Sequence, residues 1–278
     1  SREGRRVMAN YTAADVKALR ERSGAGMMDC KNALDEANGD VEKAMELLRL
    51  KGLKGVTKRE GRTTSNGLIV ARVVGGTGYL LELACETDFV AKAEKFVSLA
   101  ESIADAVSAA GAKDLDAALA ANLNGKTVAD AINDEAAIMG EKVELRRVAV
   151  VEGAKVDAYL HRTSKDLPPQ VGVLVAYAGN DDETAHDVAV HIAAFSPAHL
   201  TRDDVDAEVV ATERRIAEET ARNEGKPEAA LAKIVEGRVT GFFKENVLLE
   251  QDFAKDTKLS VAKVLENAGL EVAAFVRF

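Results

Sequence analysis

Residues that could support covalent or metal chemistry are present, but their spacing matches none of the common catalytic arrangements. Cys30 and Cys85 belong to no Cys-x-x-Cys pair or Cys/His cluster, and their apolar neighbours favour buried thiols over nucleophiles. His186 and His191 are five residues apart, which places them off a common helix face and outside the spacings of zinc sites. The segment 124–127 resembles the end of a phosphate-binding loop, but an alanine replaces the first glycine that the motif requires. We therefore predict no catalytic residues, no metal and no cofactor, and a protein-binding role in place of catalysis.

The composition excludes several other classes of protein. The chain has 278 residues, of which 47% are apolar and 4% aromatic. Its 46 acidic and 37 basic residues give a net charge of −9, which argues against broad nucleic-acid binding, and the few aromatics argue against base stacking. No stretch approaches the ~20 apolar residues of a membrane helix, and two cysteines suit a reducing compartment. We expect a soluble, cytoplasmic protein.

The first part of the chain predicts a small helical module followed by a linker. Residues 1–62 carry 14 basic and 10 acidic residues, net +4, whereas the remainder is net −13. Residues 8–52, which begin with the start-like Met8-Ala9-Asn10, contain three stretches with helical apolar spacing and predict a three-helix module. Residues 53–66 predict a basic, glycine-punctuated linker. A solvated tether is favoured over a nucleic-acid contact there, because no aromatic residue is interleaved.

From residue 67 the pattern predicts an α+β core in which strands and helices alternate in two cycles. Residues 67–151 predict a strand pair joined by a glycine-rich turn, one long helix over 88–109, two shorter helices and a strand. Residues 152–278 repeat the order strand, strand, helix, strand, with an antiparallel helical hairpin inserted at about 205–248. Residue identity between the cycles is too low to prove a duplication. The polar hairpin tip fits an inert spacer and a partner-contacting arm equally well.

Several short motifs occur together, in one order, along most of the chain. They are Leu19-Arg20, Ser23 to Lys31, Ala33-Leu34, Gly39-Asp40, Cys85 to Lys92, Val190 to Ala194, Glu224 to Pro227 and Lys233 to Arg238. Together they resemble the signatures of bacterial translation elongation factor Ts, and the resemblance runs from Met8 to Phe278. It implies a ubiquitin-associated-like three-helix module, a core of two α+β subdomains and an inserted coiled-coil hairpin.

The resemblance also implies a function. Members of this family are guanine nucleotide exchange factors that bind the GTPase elongation factor Tu in its GDP form, release GDP and Mg²⁺ without covalent chemistry, and so support translation elongation. No small-molecule substrate, nucleic acid or membrane is expected as a partner. On the residues alone, two other function classes remain open. One is an RNA- or ribosome-binding module that uses the basic residues of 49–62, and the other is a small-molecule enzyme with a pocket that the sequence does not reveal.

The central motif of the resemblance is Thr87-Asp88-Phe89-Val90. It lies where a predicted strand meets a predicted helix, so Thr87 or Asp88 can cap the helix and hold Phe89 in its first turn. On the residues alone a packing role for Phe89 is favoured. The resemblance implies instead that Phe89 and Asp88 act as a wedge against the GTPase domain, near its Mg²⁺ and phosphate loops.

The resemblance assigns partner contacts to six further residues. Met27, Met28 and Lys31 match contacts of the N-terminal module with the GTPase domain. We expect one of the two methionines in the core, because adjacent helix residues cannot both face one surface. Met139-Gly140 matches an Ile-Gly pair that contacts the GTPase domain. His161 matches a histidine near the partner's third domain, although a longer stretch follows it here.

Overall fold

The structure is a computed structural model that describes residues 10–23, 25 and 27–278, without the side chains of 52–58. The predicted start at Met8 and the glycines Gly24 and Gly26 of the first motif lie outside this description. The described residues form a mixture of helices and small antiparallel sheets, so the predicted α+β class is confirmed. No helix among them is both long and apolar enough to cross a lipid bilayer.

Three helices open the described chain: α1 (Ala13–Ser23), α2 (Met27–Glu36) and α3 (Val41–Arg59). Thr12 and Asp15 cap α1 reciprocally. The Thr12 amide donates to the Asp15 carboxylate at 2.8 Å, and the Asp15 amide donates to the Thr12 hydroxyl oxygen at 3.2 Å. The Asp40 carboxylate caps α3 by accepting the amides of Glu42 and Lys43. The apolar faces of the three helices meet in one cluster, whose buried members are Val16, Leu19, Cys30, Ala33, Leu34, Ala37 and Ala44.

Helix α3 is longer than the sequence predicts. It continues to Arg59, so residues 53–59 of the predicted linker 53–66 are helical and only 60–65 connect α3 to the next strand. The stretch is rich in leucine, lysine and arginine, whose helix propensity outweighs the cost of Gly52 and Gly55. Arg49 of α3 forms an ion pair of 3.0 Å with Asp134, which lies on the helix Val128–Met139.

The first sheet has three strands, β1 (Asn66–Val74), β2 (Thr77–Cys85) and β5 (Val143–Glu152), in the order β1-β2-β5. Between β2 and β5 the chain forms α4 (Asp88–Ala91), α5 (Glu94–Ala110), α6 (Leu115–Ala120), a ribbon of β3 (Asn122–Leu123) and β4 (Lys126–Thr127), and α7 (Val128–Met139). The prediction of one helix over 88–109 is wrong. Ala93 has extended dihedrals, φ −68° and ψ 138°, and separates α4 from α5.

The second sheet repeats the strand order of the first. Its strands are β6 (Lys155–His161), β7 (Val171–Ala178) and β10 (Glu271–Arg277), with β7 in the centre and antiparallel to both neighbours. Helix α8 (Asp182–Phe195) follows β7, and a ribbon of β8 (Asp252–Phe253) and β9 (Asp256–Ser260) with α11 (Val261–Ala268) precedes β10. In each sheet the second strand of the set is therefore central, and a ribbon and a helix lead into the last strand.

Helices α9 (Ala207–Asn223) and α10 (Glu228–Asn246) lie between α8 and β8 in the sequence. They pack together through Ala217, Val235, Val239 and Phe243. Ion pairs join Arg214 to Glu236 and, at 3.4 Å, Arg222 to Glu228. Because the later residue of α9 pairs with the earlier residue of α10, the two helices run in opposite directions.

The described chain forms two compact units. One takes the described residues up to Val70, Leu81–Val148 and Ser164–Gln170, and the other takes Ala71–Leu80, Ala149–Thr163 and Val171–Phe278. Strands β1, β2 and β5 each contribute residues to both units. The domain boundaries predicted from the sequence, at 52, 66 and 151, stay a prediction.

Candidate functional site

The turn from β2 into α4 is built around Thr87. This residue has extended dihedrals, φ −121° and ψ 157°, and its hydroxyl oxygen accepts the Val90 amide at 3.3 Å, so Thr87 is the N-cap. The Cys85 thiol donates to the Thr87 carbonyl oxygen at 3.3 Å. Burial, with the nearby Glu141 carboxylate adding to it, raises the pKa of Cys85 to about 12. The thiol is therefore protonated at neutral pH and serves as a donor, as expected for a buried cysteine.

Phe89, in the first turn of α4, is 74% exposed. The packing role that the residues alone favour is therefore wrong. The break at Ala93 explains why, since Phe89 and Phe96 are seven residues apart and would share one face of a continuous helix. Phe96 is fully buried, at 0% exposure, in α5. Because α4 ends at Ala91, Phe89 is free of that face, and the Lys92 ammonium lies 5.0 Å from its ring centroid.

A residue that the sequence did not single out, Glu141, holds this turn. One of its carboxylate oxygens accepts the amides of Glu86 and Thr87 at 3.1 and 3.0 Å, and the other accepts the Thr87 hydroxyl at 2.6 Å. The bonds run in the other direction as well, because the Glu86 carboxylate accepts the Lys142 amide at 2.6 Å. The only sequence signal was the position of Glu141 directly after Met139-Gly140.

These bonds bring Met139-Gly140 to the same place as Thr87-Asp88-Phe89-Val90. Gly140 ends α7 with φ +72°, a left-handed conformation that favours glycine, and its amide donates to the Ala136 carbonyl at 2.9 Å. Asp88 and Gly140 are exposed, whereas Val90 and Met139 are half-buried. We call Thr87–Val90 together with Met139 and Gly140 the Phe89 turn.

The N-terminal candidates form a second exposed group, which we call the α2 tip: Met27, Met28 and Lys31. Met27 is 55% and Met28 65% exposed, and Lys31 is exposed. The expectation that one methionine lies in the core is wrong. Cys30, Ala33 and Leu34 occupy the buried face of α2, which leaves both methionines of the first turn outside it.

His161 belongs to the second compact unit. It is the last residue of β6 and is exposed, and its Nδ1 is 2.9 Å from the Tyr159 hydroxyl. Hydrogen bonds to Glu141 and Lys142 thus place Thr87–Val90 beside Met139-Gly140, while the α2 tip and His161 lie on other elements.

Among the residues that the structure describes, the other histidines, cysteines and carboxylates are not grouped as metal ligands. His191 is fully buried. It lies 2.8 Å from the Gln251 side-chain oxygen and accepts the Ala254 amide at 3.0 Å. Burial lowers the pKa of His191, so it is neutral and fully hydrogen-bonded.

Comparisons with known proteins identify the family. A family model described as Elongation factor TS matches residues 86–278. The elongation factor Ts of Paenarthrobacter aurescens (strain TC1) is 61% identical over 274 residues, which cover 98% of this chain and 99% of that relative. The elongation factors Ts of Arthrobacter sp. (strain FB24) and Micrococcus luteus are each 62% identical with the same coverage. The match includes the Phe89 turn and extends over nearly the whole chain, and this chain therefore belongs to the elongation factor Ts family.

Proposed function

We propose that this chain is a guanine nucleotide exchange factor in translation elongation. It binds the GTPase elongation factor Tu in its GDP form and promotes the release of GDP and Mg²⁺, so that GTP can bind. Family membership supports the reaction class. The observation that carries the proposal is the exposed ring of Phe89, held at the start of a capped and anchored turn.

Exchange of this kind needs no covalent step, because thermodynamic linkage is sufficient. A partner that binds the nucleotide-free GTPase more tightly than the GDP form must weaken GDP binding by the same factor. The chain's task is therefore to make contacts that are stronger with the nucleotide-free form than with the GDP form. We propose no catalytic residue and no cofactor for it, and no small-molecule substrate, nucleic acid or membrane as a partner.

Phe89 suits the role of a wedge that makes such contacts. Its ring is exposed in the free chain, so burying it against a partner adds about 2 kcal/mol of apolar transfer free energy. The ring is carried on a short, hydrogen-bonded turn, so little conformational entropy is lost on binding. The exposed Asp88 beside it adds a negative charge, of the same sign as the phosphates that it would face.

The other candidate residues would widen the contact. The α2 tip offers two flexible, polarisable methionines beside the positive charge of Lys31, a combination that adapts to an apolar surface with an acidic rim. Met139 and Gly140 would touch the GTPase domain next to Phe89. His161, in the second unit, would contact the partner's third domain.

The finer features of the fold belong to the same proposal. We propose that α1, α2 and α3 form a ubiquitin-associated-like module, and that α9 and α10 form a coiled-coil hairpin. Their helix order and pairing support this. The hairpin tip, residues 224–227, has no role in the exchange step as proposed.

The test is stopped-flow release of a fluorescent GDP analogue from elongation factor Tu. Adding the wild-type chain should accelerate release, and an unchanged rate would contradict the proposal. Phe89→Ala should lose about 2 kcal/mol of the acceleration, or ~30-fold in rate, and keep the wild-type fold by circular dichroism. Phe195→Ala is the matched control, because Phe195 is also an exposed phenylalanine, at 54%, and should exchange GDP like the wild type.

A further inference from the structure

Glu141 lies outside the family motif and is the residue best placed to control it. Given the exchange function proposed above, on which this inference rests, we propose that Glu141 is a positioning residue for Phe89. Its carboxylate fixes the turn at Thr87 and thereby sets the direction in which α4 presents the aromatic ring. Glu141 itself acts through Thr87 and need not touch the partner.

The contacts of the carboxylate define a complete hydrogen-bonding arrangement. An ionised carboxylate only accepts hydrogen bonds, so both amide bonds, from Glu86 and Thr87, and the hydroxyl bond from Thr87 point toward Glu141. The Thr87 hydroxyl donates its one hydrogen bond to Glu141. Its oxygen lone pairs therefore accept the Val90 amide, which donates at 3.3 Å. A chain of hydrogen bonds therefore runs from Glu141 through Thr87 to the residue that follows Phe89.

Helix α4 depends on this support because it cannot order itself. It has four residues, and a helix that short has one turn of backbone bonds against a large entropic cost of nucleation. The extended Ala93 separates it from α5, so the long helix does not continue into α4 and hold it in register. Apart from the burial of Ala91, the restraint on Phe89 then comes from the N-terminal side, where the bonds to Glu141 are charge-assisted and strong.

The arrangement also couples two distant segments of sequence. Glu86 accepts the Lys142 amide at 2.6 Å and pairs with Arg62 at 3.4 Å, so each segment holds the backbone of the other. A contact made by Met139 or Gly140 at the end of α7 is therefore transmitted to Thr87 within a few bonds. The Phe89 turn would respond to a partner as one piece.

The start of α8 shows how a carboxylate orders a helix start that carries no exposed aromatic residue. There Asp181 supplies its own carboxylate and accepts the Thr184 amide at 3.0 Å and the Thr184 hydroxyl at 2.7 Å. The helix it caps runs for 14 residues and is ordered by its own length and packing. The short helix α4 lacks this stabilisation by length, and the Glu141 carboxylate, from a distant part of the sequence, holds its start instead.

The experiment uses the full chain with Glu141→Ala, Glu141→Gln and, as a control, Glu271→Ala, which removes an exposed glutamate on β10. GDP release from elongation factor Tu is measured at a series of chain concentrations, giving a maximal rate and a half-saturating concentration. Glu141→Ala should lower the maximal rate about tenfold or more, with a smaller change in half-saturation, because the other contacts still dock the chain. The control should behave as the wild type.

Glu141→Gln separates positioning from general stability. Its amide oxygen can still accept the two backbone amides, but its NH₂ group cannot accept the Thr87 hydroxyl, so its maximal rate should lie between those of the wild type and Glu141→Ala. It also serves as the test variant if Glu141→Ala fails to fold. In the free chain, hydrogen exchange of the Glu86 and Thr87 amides should be roughly tenfold faster in Glu141→Ala. Amides in the buried middle of β2 should be unchanged.

Two results would overturn the inference. One is a wild-type maximal rate for Glu141→Ala despite faster amide exchange, which would mean that the order of the turn does not matter for release. The other is unchanged amide exchange, which would mean that the carboxylate does not hold the turn. A wild-type chain that leaves GDP release unchanged would contradict the proposed function itself, a result that the amide measurement in the free chain distinguishes from both.

Discussion

The two places where a central strand leads into a helix differ in one informative way. After β2, Thr87 caps α4, and after β7, Asp181 caps α8; each accepts the amide three residues later, that of Val90 and that of Thr184. The next four residues match in burial, with two exposed, one half-buried and one buried in both helices. The second exposed position holds Glu183 in one helix and Phe89 in the other.

This match shows that the fold does not require an aromatic residue at position 89. A charged residue at the second helical position is what solvent and the helix dipole favour, and α8 has one. A phenylalanine in the same place forfeits about 2 kcal/mol of burial in the free chain. That cost is consistent with the partner contact proposed for Phe89.

The first prediction compares the contributions of Phe89 and Phe96, which are seven residues apart, to the stability of the fold. Phe96 is fully buried in α5, and Phe89 is exposed. Phe96→Ala should lower the free energy of unfolding by about 3–5 kcal/mol because it leaves a cavity, whereas Phe89→Ala should change it by less than ~0.5 kcal/mol. Urea denaturation of both variants measures the difference. Equal losses would mean that Phe89 packs in the core.

A second prediction exchanges the residues that distinguish the two helix starts. Phe89→Glu should fold as the wild type, since the matched position of α8 already holds a glutamate, and should lose exchange by at least the ~2 kcal/mol that Phe89 contributes on burial. The reciprocal Glu183→Phe should leave exchange unchanged and lower the stability by no more than ~1 kcal/mol, the interaction of Glu183 with the helix dipole. Stopped-flow GDP release and thermal denaturation are the measurements. A Phe89→Glu chain that retains wild-type release would show that the ring is not the wedge.

The sequence was sufficient to predict the strands of the two three-stranded sheets and most helices, but not the two short ribbons or the break that exposes Phe89. Apolar periodicity predicts the longer elements because it depends on neighbours in sequence. The same periodicity joined 88–109 into one helix, since Phe89 and Phe96 fit one face, and no proline or glycine marks the interruption at Ala93. Local propensity could not show that tertiary packing ends α4 at Ala91.

Contacts between distant residues were also beyond the reach of the pattern. Glu141 and Thr87 are 54 residues apart, and no local rule pairs them. The continuation of α3 to Arg59 differs from the prediction for another reason, because glycines and positive charges are also typical of a linker. The exposure of both Met27 and Met28 depends on which residues of α2 the neighbouring helices cover.

The smallest predicted effect concerns pH, where the two caps differ in chemistry. The Thr184 amide bond, with the Thr184 hydroxyl adding to it, holds the pKa of Asp181 below its usual range. A carboxyl group whose pKa is lowered by folding stabilises the protein above its ordinary pKa, near 3.8, and loses that contribution as the pH falls through the lowered value. The thermal midpoints of wild type and Asp181→Ala should therefore differ at pH 7 and converge toward pH 3. The hydroxyl of Thr87, by contrast, does not ionise in this range. If the difference in thermal midpoint between wild type and Asp181→Ala stays constant with pH, the Asp181 carboxylate is not the cap of α8.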